Sequence, residues 1–95
     1  MSKIATLFIV QTAYPRLSES LNELVNLHQS QDAILLLEDG VFALHQQASH
    51  HLHQLYVLES DAHLITGHTH PSVNIIDYAQ FAALIADAKK VITWK

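Results

Sequence analysis

Two continuous apolar runs constrain this chain more than any other feature: "IATLFIV" (Ile4 to Val10) and "AILLLE" (Ala33 to Glu38). A strand with one wet face alternates apolar and polar residues, whereas a strand covered on both faces has no polar register. The first run therefore predicts a central strand of a sheet with layers packed on either side, and the second predicts another strand. Between them, "YPRLSESLNELVNLH" places Leu17, Leu21, Leu24, Val25 and His28 at helical spacing, with Pro15 suited to the first turn.

The second run leads into Asp39-Gly40, a turn signal, and "VFALHQQAS" reads as a short helix. "LYVLE" (Leu55 to Glu59) predicts a third strand, after which Ser60 and Asp61 suit the cap of a short helical segment stopping near Gly67. "SVNIID" (Ser72 to Asp77) predicts a fourth strand. Asp77 with Gln80 has capping-box spacing, and Tyr78, Phe81, Ala82, Ile85 and Ala88 then share one helical face. "VITW" (Val91 to Trp94) is a last short strand. Strands alternating with helices predict an α/β fold, a three-layer sandwich with a mainly parallel sheet of about five strands. Residues 1–95 are expected to form a single domain.

Composition supports a packed core, with 49% hydrophobic and 15% charged residues. The basic residues are Lys3, Arg16, Lys89, Lys90 and Lys95 against nine carboxylates, so no stripe suited to phosphate backbones exists, and direct nucleic-acid binding is not expected. No apolar run reaches the ~18 residues of a membrane span, and the first residues lack the pattern of a secretory signal. A cytoplasmic protein without membrane contact is expected. Cysteine is absent, which removes disulfides, thiolate ligands and persulfide carriage by these residues.

The strand ends carry Gln11-Thr12, Glu38-Asp39-Gly40, Glu59-Ser60-Asp61 and Asp77, where open parallel sheets collect ligands. A magnesium site of the receiver type needs paired acids after the first strand and a late lysine, and Gln11 and Thr12 stand there instead. The carboxylates read better as caps and turn closures. "QTAYPRLSES" has hydroxyls but no glycine for a phosphate loop, and no G-x-S-x-G elbow supports a serine nucleophile. No cofactor is expected.

Six of eight histidines fall between Ser49 and Pro71. His51 with His53, and His68 with His70, have the i, i+2 spacing of strand-borne metal ligands. They lie in connections where nothing in the sequence makes four rings converge, so a histidine-rich metal-binding protein is the alternative reading. Full protonation near a pKa of about 6.5 would carry the net charge from −4 to +4.

"LLLEDGV" (Leu35 to Val41) and the pattern Ile76, Asp77, Tyr78, Phe81, Leu84, followed by Trp94, resemble the TusB/DsrH family of sulfur-relay subunits. "LYVLESD" (Leu55 to Asp61) is a looser match between them, and the resemblance spans nearly the whole chain. It implies a DsrE-like fold and a subunit that joins TusC/DsrF-like and TusD/DsrE-like partners in a heterohexamer. Such a complex would take persulfide sulfur from a TusA-like donor and deliver it to a TusE/DsrC-like acceptor. The sulfur ends as 2-thiouridine at the tRNA wobble position in one branch and enters sulfur oxidation in the other. Some DsrH-type members carry a cysteine in the first-helix region, where this chain has residues such as Leu21, Leu24 and Val25. A chain without cysteine, convergent polar site or nucleophile reads as a non-catalytic assembly subunit, with Asp39, Gly40, Val41 and Trp94 as candidate partner-interface residues.

Overall fold

The computed structural model describes residues 4–45, 52, 54–65 and 73–95. Its centre is a five-stranded, all-parallel sheet: β1 (Ile4–Val10), β2 (Ala33–Leu36), β3 (Leu55–Leu58), β4 (Val73–Ile76) and β5 (Ala88–Trp94), in the order β4-β3-β2-β1-β5. The two apolar runs form β1 and β2, two of the three inner strands, in keeping with their lack of polar register. Helix α1 (Leu17–Leu27) follows a 3₁₀ turn at Tyr14–Arg16, and α2 (Tyr78–Asp87) leads without a loop into β5.

Side-chain alternation along the strands separates two cores. Phe8, Val10, Ile34, Leu36, Leu55 and Val57 face α1, whose Leu17, Leu21 and Leu24 are buried against them. Leu7, Ile9, Ala33, Leu35 and Leu58 face the opposite way, toward Phe81 and Leu84 of α2. Parallel register keeps each face continuous, because Phe8 pairs with Ile34 and Ile34 with Leu55. This is the expected three-layer α/β sandwich. The α1 layer also contains two 3₁₀ segments, Glu38–His45 and Glu59–Leu64, which pack on each other.

Boundaries shift where local geometry overrides the pattern. β2 stops at Leu36 because Glu38 takes a left-handed φ of 52°. Glu38 thereby opens a 3₁₀ segment that contains Asp39-Gly40, in place of a turn followed by a helix from Val41. Its expected continuation over 46–49 lies outside the described residues. β3 ends at Leu58 and the following segment at Leu64, with no side-chain cap of its own. Asp61 instead accepts the backbone N–H of Glu38 at 3.2 Å, tying the ends of β2 and β3 together. His28 leaves the helix as the extended C-cap of α1. Ala88 belongs to β5, which starts three residues before the expected Val91, because its ladder with β1 begins at Ile4 opposite Ala88.

Asp32, 6% exposed, holds the α1–β2 connection. Its carboxylate accepts from the Thr6 N–H at 3.1 Å and the Gln29 N–H at 2.8 Å, satisfying two backbone donors with one charged group.

Candidate functional site

A crevice opens in a parallel sheet where neighbouring strands send their connections to opposite faces. In this sheet the strand order reverses between β1, which continues through α1 to β2, and β5, which is reached from the far strand β4 through α2 on the other face. A crevice of about 300 Å³ occupies this position. Thr12, 2% exposed, lies in it just past the end of β1, with its Oγ1 2.9 Å from Ser20 Oγ. Either hydroxyl can donate in that bond, and Ser20 is half-buried at the mouth of the crevice.

One wall is a stripe of α1 and its N-cap: Arg16, Glu19, Ser20 and Glu23 follow i, i+3, i+4, i+7 spacing beside the buried leucine stripe. The other is the end of β5, where Thr93, Trp94 and Lys95 line the opening. The Gln11 N–H donates to the Trp94 carbonyl at 2.7 Å, which fixes the two strand ends side by side. The Trp94 ring is half-buried, 5.8 Å from the Phe8 centroid.

The strand-end acids are engaged elsewhere. Asp39 accepts the Tyr14 N–H at 3.1 Å, Asp61 the Glu38 N–H, and Asp77 the Gln80 N–H at 2.8 Å. The Gln80 side chain returns a bond to the Asp77 N–H at 2.9 Å, completing the expected capping box. Only Asp77 of these three caps a helix locally, whereas Asp39 and Asp61 tie together segments distant in sequence, and among the described residues no group of three His, Asp or Glu is placed to hold a metal.

The second unusual region is α2. Eight of its ten residues are apolar, yet none is buried. Phe81 and Leu84 make the seam with the sheet, while Tyr78 and Ile85 stand 63% and 42% exposed. The expected stripe of Tyr78, Phe81, Ala82, Ile85 and Ala88 is therefore split, with Tyr78, Ala82 and Ile85 turned outward. Val91, on the same sheet face as Leu7, is also exposed, so this apolar surface continues onto β5. Tyr78 keeps its hydroxyl 3.3 Å from Ser60 Oγ.

Of the four interface candidates, Asp39, Gly40 and Val41 are consecutive in the 3₁₀ segment Glu38–His45 and Trp94 ends β5. Val41 is fully buried, and Gly40 is buried where a Cβ would collide with the Val10 carbonyl oxygen, so both serve the packing of their segment against β1. Asp39 is half-buried beside an edge-to-face contact of Tyr14 with Phe42, and Trp94 belongs to the crevice. His51, His53, His68 and His70 lie outside the described residues. The crevice was not anticipated, although R-x-x-E-S-x-x-E from Arg16 to Glu23 is a visible polar stripe. No described helix is long and apolar enough to cross a membrane.

The fold is an all-parallel α/β sandwich with one closed and one open helical layer. The family model for DsrH like protein matches residues 15–91, and the chain belongs to that family. It is thus a subunit of the sulfur-relay type, as the resemblance implied. A comparison with curated proteins finds no match.

Proposed function

We propose that this chain is a non-catalytic, architectural subunit of a cytoplasmic TusBCD/DsrEFH-like complex, supporting persulfide transfer for 2-thiouridine formation at the tRNA wobble position. The observation that carries this reading is the α2 layer: eight apolar residues out of ten and none buried. A helix this apolar is expected to lie inside a larger assembly. Family membership supplies the chemistry, and the absence of cysteine assigns the persulfide-carrying step to another subunit. TusC/DsrF-like and TusD/DsrE-like chains are the partners, with a TusA-like donor and a TusE/DsrC-like acceptor visiting the complex. Asp39 is the partly exposed residue of the Asp39, Gly40 and Val41 set and is the one of these three proposed to meet a partner, on the α1 side of the sheet.

Co-expression with the TusC- and TusD-like chains of neighbouring genes tests the proposal. A stable complex by size-exclusion chromatography, with sulfur transfer that falls when this chain is left out, is expected. A persistent monomer, with full transfer by the partners alone, would overturn it. Dissimilatory sulfite reductase genes beside this one would move the role to sulfur oxidation within the same architecture.

A further inference from the structure

The crevice between the ends of β1 and β5 is separate from the α2 surface and has a chemistry of its own. Its position is the topological switch point, where open parallel sheets bind small ligands. Thr12 is nearly fully buried, and its hydroxyl pairs with that of half-buried Ser20. Two neighbouring hydroxyls in a crevice can donate to and accept from a polar ligand group.

The charges around this pair select the ligand class. Arg16 and Lys95 supply two cations, and Glu19 and Glu23, one helical turn apart on α1, supply two carboxylates. A phosphate or nucleotide would meet two carboxylates, and a simple amine would meet two cations. A molecule carrying both signs satisfies both sets, with its carboxylate toward the hydroxyls and cations and its ammonium toward the glutamates. Trp94 adds an apolar wall for a side chain. We propose that this crevice binds a free zwitterionic α-amino acid, with Arg16, Glu19 and Glu23 as the recognising charges.

Trp94 is the only tryptophan, so intrinsic fluorescence of the full chain reads this site directly. Titration with glycine, L-alanine, L-methionine and L-cysteine should give saturable changes with Kd values of about 1 mM or tighter, L-methionine binding more tightly than glycine. Acetate and ethylammonium, each carrying one charge, should bind at least about tenfold more weakly. Arg16→Gln, and Glu19→Gln combined with Glu23→Gln, should each weaken binding about tenfold while leaving the fold intact by circular dichroism. Tyr78→Ser, on the distant α2 surface, should leave it unchanged. NMR shifts of the Thr12, Ser20 and Thr93 amides provide a second measurement should the fluorescence change be small. The proposal is overturned if neither signal responds to any amino acid up to about 10 mM. It is equally overturned if acetate binds as well as glycine, or if Arg16→Gln has no effect. Failure here would leave the relay reading untouched, since that reading rests on α2 and the family match.

Discussion

The two helices of this chain cover the same sheet from opposite sides and meet opposite fates. α1 has five apolar residues in eleven and sends Leu17, Leu21 and Leu24 to full burial, whereas α2 has eight in ten and buries none. The more apolar helix is the less covered one. Burial in this molecule therefore follows what the chain places over each helix. The α1 side carries two 3₁₀ segments as additional cover, and the α2 side has no such layer among the described residues. A finished face and an unfinished face on one small domain fit the proposed architectural role, in which the first gives stability and the second meets a partner.

Mutations that separate stability from association can break this contrast. Leu21→Ala in the closed layer should destabilise the isolated chain most, by about 3 kcal/mol through lost contacts and a cavity, seen as a lower urea midpoint. Asp32→Ala should follow at about 2 kcal/mol, because the Thr6 and Gln29 N–H groups lose a charged acceptor. Asp77→Ala should cost about 1 kcal/mol by removing the N-cap of α2. In hydrogen exchange that loss should appear first in the amides of the first turn of α2. Ile85→Ser should change the stability of the isolated chain by less than about 0.5 kcal/mol. It should nevertheless reduce co-elution with the partner chains. A large stability loss from Ile85→Ser, or unchanged co-elution, would mean that the open layer is not the interface.

Much of the fold was legible because its strongest signals are local. The apolar run at Ile4 to Val10, rich in branched residues, has the pattern of an inner strand, and Asp77 with Gln80 forms the capping box that their spacing predicts. Errors fell where a neighbour far along the chain decides the outcome. Asp61 fits a local cap, yet it bonds to Glu38 because β2 and β3 run side by side. Ala88 continues the helical pattern of α2, yet it joins β5 because Ile4 offers a ladder partner. Tyr78 and Ile85 share a face with Phe81, but the contact between α2 and the sheet is narrow and takes only Phe81 and Leu84. The crevice was hidden for the same reason: the Arg16-to-Glu23 stripe is readable, but its opposite wall lies some 70 residues further on.

By itself, the sequence determined the three-layer α/β plan, the central first strand, the α2 cap and the lack of any cysteine able to carry a persulfide. These follow from periodicity, hydrogen-bonding capacity and residue chemistry, which act within a few residues. Tertiary structure alone decided which helix would be left open and which polar groups would meet. Once β5 pairs with β1, Trp94 and Lys95 are brought beside Thr12 and Arg16, and no local preference encodes that pairing. The long-range ladder sets it, because backbone donors and acceptors must find partners wherever the sheet closes.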